Sequence, residues 1–448
     1  MALWNIQELT SLGEVTPRDA AVDITGVCID SRQIKPGELF IALSGDPGPR
    51  FSGGVDNPRD GHEFIDAAIA AGAAAVLLSR PPAQIDVPYI KVSNTLDGLW
   101  DLAREARART TARVVAITGS AGKTTAKSWL SECLLSQCQV HSSAGSLNNH
   151  WGVPLSLGRM AKQAEVGVIE IGTNHPGEIA PLSELAKPDV AMLLNVLPAH
   201  IGNFPSLQAL TAEKLSIAAG LQPDGVFILP KALASGASNE ITFGLESDAD
   251  VTASYEVSSE GWQVNANVTG ATVSYQLLEG GEHRVLTSLA VLAAVNALGF
   301  SVSKAAAVLA RQGSPKGRGN THSVNDVTVI DDSYNANPVS MIYAMDSLAS
   351  KSGRKIAILG EILELGEKSE QYHGEVAEGF SALDEVITVG EGFRNFPGSK
   401  HVASVAELNL EALVSTLQPG DHVLVKGSNK VFWQHQFVAR LIAALKQS

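Results

Sequence analysis

The sequence predicts an α/β protein of three domains, two of them built on open parallel sheets. Three observations carry that expectation. Short continuous apolar runs rich in β-branched residues recur between helical segments from Arg113 onward, the mark of strands buried on both faces. A glycine-rich turn joins the first of these runs to a helix. The length, 448 residues at about 150 per domain, allows two to four domains, with three as the central expectation.

Residues 1–112 form the first unit, of mixed α/β character. It holds β-like runs VDITGVCIDS (22–31) and ELFIALSG (38–45), and an alanine-rich helix from Glu63 to Gly72 that leads into AAVLLS. The stretch between Gly45 and Gly61 is dense in Gly, Pro, Asp and Arg and reads as a loop. A helix over Asp97–Thr110 closes the unit.

The second unit, 113–313, opens on VVAIT, followed by a helix over TAKSWLSECLLSQ (125–137). VGVIEIG (166–172), DVAMLLNV (189–196) and GVFILP (225–230) repeat the strand type, so a doubly wound sheet is expected. Between 250 and 280 the pattern switches to alternation, with Val264, Ala266 and Val268 in one strand and Val273 and Tyr275 in the next. Thr269 and Gly270 lie between them, which predicts an antiparallel hairpin appended to the sheet. A helix over Thr287–Leu298 follows. The third unit, 314–448, carries strands VTVIDD (327–332), KIAILG (355–360), EVITVG (385–390) and HVLVKG (422–427), a second parallel sheet. Ligands of such sheets gather beyond the carboxyl ends of the strands.

Composition narrows the function. Lys plus Arg is 33 against 47 for Asp plus Glu, a net charge of −14, which argues against a surface that grips nucleic acid or anionic membrane. Three cysteines, Cys28, Cys133 and Cys138, make no disulfide framework and no zinc-type pair, so a reducing cytoplasm fits. MALWNIQELT lacks the basic and apolar regions of a signal peptide, and the alanine-rich run at 67–78 is too short to span a bilayer.

The strongest chemical signal is TGSAGKTT at 118–125, set between a buried strand and a helix. Backbone N–H groups from Gly119, Ser120, Ala121, Gly122, Lys123, Thr124 and Thr125 would cradle phosphates there. Lys123 would neutralise the β/γ oxygens and the Thr124 hydroxyl would hold Mg²⁺. The GxxGKT spacing is two residues shorter than the general phosphate-loop pattern, yet its setting makes ATP the expected ligand. Glu170 closes VGVIE and His200 lies just past DVAMLLNV, on the rim that a doubly wound sheet shares with the phosphate loop. Hard Mg²⁺ favours carboxylate oxygen over imidazole, and His200 alone reads more readily as a hydrogen-bonded loop residue.

With TGSAGKTT, the segments SLNNHWGVPLSL (146–157), EIGTNHPGEI (170–179), NVLPAHIGNF (195–204), PKGRGN (315–320), DDSYNANP (331–338) and LGEILELGEKSEQYH (359–373) occur in order. The set resembles the Mur ligase family, ATP-driven amide ligases of peptidoglycan-precursor synthesis, and spans essentially the whole chain. IDSRQIKPGELFIAL (29–43) and DGHEF (60–64) resemble that family's UDP-sugar domain. The resemblance implies a UDP-sugar domain, a central ATPase-type domain and a C-terminal Rossmann-like domain. DDSYNANP with LGEILELG is most similar to the branch that adds D-Ala-D-Ala to UDP-N-acetylmuramoyl-tripeptide through an acyl phosphate.

Residue by residue, the resemblance implies that Thr124 and Glu170 hold one Mg²⁺ and His200 a second. Lys214, in LTAEKLSI, aligns with a lysine the family carbamylates, which would make it an anionic metal ligand, although Ser216 stands where an acid is usual. Arg318 is expected on phosphate oxygens and Asp332 near the ribose. Asn335, Asn337 and Lys426 are expected to line the cleft. Ser31 and Arg32 suit the sugar nucleotide, and Asn148, Asn149 and Thr173 the muramoyl-peptide end. The substrates are then the UDP-linked tripeptide and the dipeptide, with no nucleic acid and no membrane span, in a cytoplasmic monomer. Substrate groups from separate domains must converge, which implies closure by domain rotation.

Three departures stand out. The family's His-Asn-x-x-Asn run, whose asparagine reads adenine, is HRVLTS here, with Arg284 and Thr287 at those places and His283 a weak adenine candidate. The loop from Asp46 to Arg59 is longer than usual. Within it Asp56, Asn57, Pro58 and Arg59 echo a motif that sister ligases carry in their last domain, a coincidence of position. Two alternatives remain open: a sister ligase adding diaminopimelate or lysine as the third residue, and a non-catalytic ATP-binding switch.

Overall fold

A computed structural model describes residues 2–45, 59–258, 261–278 and 281–447. Residues 46–58, with most of the expected Gly- and Pro-rich loop and the Asp56–Pro58 part of the echo motif, lie outside the described residues.

Three α/β sheets follow one another along the chain. The first has five strands in the order Glu14–Thr16, Tyr89–Lys91, Ala75–Leu78, Glu38–Ile41, Gly26–Cys28, parallel except for the first pair. The single run expected over 22–31 divides here. Asp23–Ile24 pairs with Trp4–Asn5 in a separate two-stranded ribbon, while Gly26–Cys28 joins the main sheet. The helix expected over 63–72 is a 3-10 turn, Gly61–Phe64, capped by Asp60, running into a shorter helix, Ile65–Ala70.

The helix Thr95–Ala108 serves two cores at once. Leu99, Leu102 and Ala106 pack into the first unit, and Leu96, Trp100 and Ala103 into the second. Both sets recur at spacings of three and four, so they form two stripes on one helix. Trp4 and Trp100 tie the same seam with indole N–H bonds to the carbonyls of Gly158 (2.9 Å) and His150 (3.0 Å).

The central sheet has nine strands. From one edge the order is Val140–Ser142, Val166–Glu170, Arg113–Thr118, Val190–Leu193, Val226–Pro230, Glu240–Gly244, Val251–Ser258, Gly261–Val268 and Ala271–Leu277. The first seven run parallel, the eighth turns back against them and the ninth is antiparallel to the eighth. The expected hairpin therefore exists, but as the end of a three-stranded meander continuous with the sheet. Its Thr269-Gly270 turn has both residues at positive φ (47° and 95°), the two-residue turn whose twist suits a hairpin. The helix expected over 287–298 starts earlier, at Glu282, and its apolar length to Ala297 is buried against the sheet.

The third sheet orders Asn320–Val324, Val327–Asp332, His422–Lys426, Lys355–Gly360, Glu385–Val389 and Lys400–Val402. The four expected strands are present. Two short edge strands, Asn320–Val324 (antiparallel) and Lys400–Val402, are additional. Both are half-exposed and polar, so they lack the apolar run that marks a buried strand.

In both large sheets the chain reverses its winding beside a strand near the start of the unit. Strand Arg113–Thr118 has Val166–Glu170 on one side and Val190–Leu193 on the other, and Val327–Asp332 borders the last-formed strand His422–Lys426. The crevice beyond such a reversal is the expected ligand position. Ile201, Phe204 and Leu210 of the central unit pack into the core of the third beside Met341 and Leu365. There Gly202 and Gly366 cross so closely that a Cβ on Gly202 would lie 2.5 Å from the Gly366 nitrogen. No helix among the described residues is long and apolar enough to cross a membrane.

Candidate active site

The phosphate loop leaves the central strand at Thr118 and enters the helix Lys123–Leu135 through Gly122, whose φ of 79° suits glycine. Its shape is held from the neighbouring strand. Asn195 accepts from the Ala121 N–H (2.9 Å) and donates to the Ala121 carbonyl (3.1 Å), and its own carbonyl takes the Ser120 N–H (3.1 Å). Ser120 Oγ adds a bond to the Leu197 carbonyl (2.8 Å). Sequence reading did not single out Asn195; its one signal was being the first polar residue past a buried run. Lys123 Nζ donates back to the Gly119 carbonyl (2.7 Å), which keeps the ammonium folded over the loop.

Glu170 is the focus of the site. It is 1% exposed and ends its strand on the same rim. Thr124 Oγ1 donates to it at 3.0 Å, Asn148 Nδ2 at 2.8 Å, and Lys127 Nζ lies 3.3 Å away. Lys127 was missed by sequence reading, although it sits one helical turn past Thr124 and therefore on the same face. Burial pushes both Lys123 and Lys127 below the usual lysine range; Glu170 opposes this and Arg318 adds to it. Arg318 stacks over the Tyr334 ring (4.2 Å), and its Nη2 reaches Ser146 Oγ (3.4 Å). Ser146 Oγ is in turn 3.4 Å from Thr124 Oγ1, so Arg318 of the third unit closes on the phosphate-loop helix. The Thr124 hydroxyl and the Glu170 carboxylate, oxygen groups beside a phosphate loop, are of the kind Mg²⁺ takes, and these residues fit it.

Lys214 lies next to this group. It is 2% exposed, and no hydrogen bond from its Nζ occurs among the described residues. Burial, with Lys123 nearby, pulls its amine down to about 7. Its neighbour Glu213, also unforeseen, caps the buried start of helix Ile179–Ala186. Its carboxylate accepts the N–H groups of Gly177 (2.7 Å), Glu178 (3.0 Å) and Ile179 (2.8 Å). The helix carrying Lys214 is thereby fixed to the segment that follows Glu170.

The expectation gave His200 a Mg²⁺ of its own, apart from that of Thr124 and Glu170. Its Nδ1 pairs with the Glu364 carboxylate of the third unit, and no group of three or more His, Cys, Asp or Glu side chains gathers at a common metal position among the described residues. The His200 bond holds Glu364 below the usual carboxylate range. The two residues lie at a cavity of about 330 Å³ on the third sheet's rim, shared with Asn335, Asn337, Ser428 and Lys430. The loop forming one wall is pinned by buried His373, whose Nε2 accepts the Ile362 N–H (3.0 Å) while its Nδ1 bonds the Ser369 carbonyl (2.7 Å).

The other predicted residues sort by partner. Asn337 lines the cavity but also caps helix Pro338–Ala349, and Asn149 caps the start of Gly152–Gly158 through the Trp151 and Gly152 N–H groups. Lys426 Nζ bonds Asp332 (2.5 Å) and the Asn335 carbonyl (3.4 Å). Thr173 Oγ1 donates to the His175 carbonyl (2.7 Å). In the first unit Arg32 is exposed and forms a two-pronged pair with Asp30 (2.9 and 2.8 Å), on the strand-end rim shared with Ser31. The departures also have local partners: Arg284 Nη2 donates to the Arg318 carbonyl (3.1 Å) and Thr287 Oγ1 to the His283 carbonyl (2.7 Å).

Residues 23–107 match the family model described as Mur ligase family, catalytic domain; 117–295 match the Mur ligase middle domain, and 317–429 the Mur ligase, glutamate ligase domain. The UDP-N-acetylmuramoyl-tripeptide–D-alanyl-D-alanine ligase of Escherichia coli is 34% identical over 402 residues, 86% of each chain. Among solved structures, MurF from Acinetobacter baumannii matches over 99% of both chains with a TM-score of 0.86 at 29% identity. MurF ligase from Thermotoga maritima, in complex with ADP, matches over 94% of this chain and 98% of its own, with a TM-score of 0.81 at 27% identity.

The depressed Lys214 amine makes stability depend on pH in a defined direction. Unfolded, the amine keeps its proton to about 10.5; folded, only to about 7. Between these values the unfolded chain binds more protons, so raising the pH favours the fold; below 7 both forms are protonated and the penalty is constant. In CO₂-free buffer, wild type should therefore gain on the order of a few kcal/mol relative to Lys214→Met between pH 7 and 10. Denaturant midpoints of the pair measured across that range check it; parallel curves would count against a buried titrating amine.

Proposed function

The chain belongs to the Mur ligase family, and we propose that it joins D-alanyl-D-alanine to UDP-N-acetylmuramoyl-tripeptide with cleavage of ATP to ADP and phosphate. What carries this reading is the pairing of two strand rims across one cleft: a phosphate loop with its cations on one, and a small cavity bearing charges of both signs on the other.

The phosphate loop and Lys123 hold the nucleotide's phosphates, and Arg318 adds a guanidinium from the third unit. A carboxylate oxygen of the tripeptide attacks the γ-phosphorus, forming an acyl phosphate and releasing ADP. The dipeptide amine then attacks the acyl carbon, and the tetrahedral adduct expels phosphate as the amine sheds its proton. No protein group need form a covalent bond, so positioning and neutralisation account for the protein's part. Thr124 and Glu170 would hold Mg²⁺, which would supply charge neutralisation on the phosphoryl oxygens.

Lys214 completes that environment as its carbamate. A buried amine near neutrality has the free lone pair that CO₂ needs, and adding CO₂ with loss of a proton to solvent replaces a misplaced cation by an anion beside Lys123. The cavity at the third rim takes the zwitterionic dipeptide, its ammonium toward Glu364 and its carboxylate toward Lys430. The first unit holds the UDP-sugar at the rim of Ser31 and Arg32, and the enzyme works in the cytoplasm, where ATP is available.

Three outcomes test this. Phosphate release from ATP should require both the UDP-linked tripeptide and D-Ala-D-Ala, with a UDP-linked pentapeptide by mass. Release indifferent to D-Ala-D-Ala but dependent on another amino acid would point to a sister ligase, and release indifferent to both to a switch. Glu364→Gln should raise the KM for the dipeptide roughly tenfold while that for ATP stays within about twofold; an unchanged dipeptide KM removes Glu364 from that role. In ¹³C-bicarbonate, wild type should show a carbamate carbon resonance that is absent from Lys214→Met, and its absence from both sinks the carbamate.

A further inference from the structure

We propose that Tyr334, backed by Trp433, is a positioning residue that aims the Arg318 guanidinium at the phosphates of the nucleotide. The proposal rests on the reading of Arg318 as a phosphate ligand in an ATP-dependent enzyme.

The backbone around Arg318 is fixed, while its side chain is held far less. The Gly317 N–H donates to Asn320 Oδ1 (2.8 Å), the Gly319 N–H to the Asp331 carbonyl (2.7 Å), and the Tyr334 N–H to the Gly317 carbonyl (2.9 Å). From the central unit Arg284 Nη2 reaches the Arg318 carbonyl (3.1 Å). The guanidinium itself makes one long hydrogen bond among the described residues, from Nη2 to Ser146 Oγ (3.4 Å), and no carboxylate pairs with it there. A long side chain held only by such a bond would have to surrender its rotamer freedom each time it met an anion, and that cost weakens binding.

The Tyr334 ring supplies the missing constraint. The guanidinium carbon stands over it, 4.2 Å from the centroid, well inside the range of cation–π attraction. A guanidinium resting on a ring face keeps its N–H donors free at the edges for oxygens of an anion, which a lysine ammonium cannot reproduce. The ring is in turn fixed by Trp433, which meets it edge to face at 5.1 Å and 70°. The indole also fills the space beside Gly317, where a Cβ would lie 2.5 Å from Trp433 Cζ3 and 3.1 Å from Tyr334 Cβ. With φ at 73° and no side chain, Gly317 lets the Arg318 loop lie against both aromatics. Tyr334 follows strand Val327–Asp332 and Trp433 follows strand His422–Lys426, adjacent strands with Asp332 opposite Lys426, so both rings stand on one rim of the third sheet.

Tyr334 also lines the cavity assigned to the dipeptide, which gives the ring a second possible duty. A ring that served only as a wall would matter to the dipeptide and leave the nucleotide alone. A ring that aims Arg318 must matter to the nucleotide, and only while Arg318 is present.

Calorimetric binding of a non-hydrolysable ATP analogue with Mg²⁺ to the full chain, run as a double-mutant cycle, decides between these duties. Arg318→Met should weaken the analogue about tenfold and Tyr334→Leu about fivefold, while in the Arg318→Met background Tyr334→Leu should cost less than about twofold. Tyr334→Phe, which keeps the ring face, should bind within about twofold of wild type. An equal loss from Tyr334→Leu with and without Arg318 overturns the proposal, as does no loss in either background, the result for a ring that only walls the cavity. Arg318→Met binding like wild type overturns it as well, since no guanidinium is then left to aim. Should Tyr334→Leu fail to fold, Trp433→Leu takes its place, because it leaves the Tyr334 ring and removes the backing. A loss of about threefold confined to chains that keep Arg318 supports the aromatic platform, and an equal loss in both backgrounds, or none, overturns it. A wild type that binds no analogue removes the ATP reading together with the platform, whereas a cycle without coupling in a wild type that binds it removes the platform alone.

Discussion

Two lysines are gathered around one buried carboxylate with an arginine beside them, and the site depends on that crowding of charge. Glu170 faces Lys127 and Thr124 from inside the sheet rim and favours the charged form of Lys123 as well, while Arg318 opposes it at both lysines. Burying cations is costly: desolvation depresses both lysines, and the neighbouring Arg318 adds to it. A nucleotide triphosphate is the kind of ligand that relieves it. The same field would attract any polyanion, so the fixed loop geometry enforced by Asn195 has to provide the discrimination that charge cannot.

The carboxylate can sit at the rim only because the units lock around it. Helix Thr95–Ala108 gives one apolar stripe to each of two cores, and so the first unit cannot shift against the second without opening both. The third unit is joined by a smaller seam, built on Ile201, Phe204 and Leu210 and on the Gly202–Gly366 crossing. Loops and short apolar patches of this sort yield more readily than a shared helix. Movement between units, where the chemistry demands it, belongs at that second seam.

Much of this was legible in the residues, and the remainder was not for physical reasons. Strands buried on both faces announce themselves by continuous apolar runs, so four strands in each large sheet and the phosphate loop between strand and helix could be placed from sequence, while Val140–Ser142, Glu240–Gly244 and Val251–Ser258 were not. The polar edge strands Asn320–Val324 and Lys400–Val402 carry no such run, and the split of 22–31 between two sheets depends on pairing partners far along the chain. In the site, residues with a recognisable chemical duty were found, whereas neighbours in the same quoted segments that act by holding others in place were not. Asn195 and Glu213 work by bonding backbone groups, which leaves no trace in composition, and Lys127 looked like any helix lysine. Asn149 was visible but bonds as a cap, a duty asparagine performs wherever a helix begins.

The placement of His200 shows how an arrangement of units can decide what a residue does. Its backbone is in the left-handed region (φ 57°), as is that of its partner Glu364 (φ 64°), so both loops hold unusual conformations to bring the pair together across the seam. With Nδ1 held by a carboxylate of the third unit, the ring keeps Nε2 as its free ligand atom. Glu364 therefore sets which way that nitrogen faces, and a shift of the seam would change it. Arg318 reaches the central unit from the same side through Ser146. Any rotation that frees His200 from Glu364 therefore also moves the guanidinium relative to the phosphate loop. Coupling of that kind needs no dedicated relay, because both contacts are attached to the same rigid body.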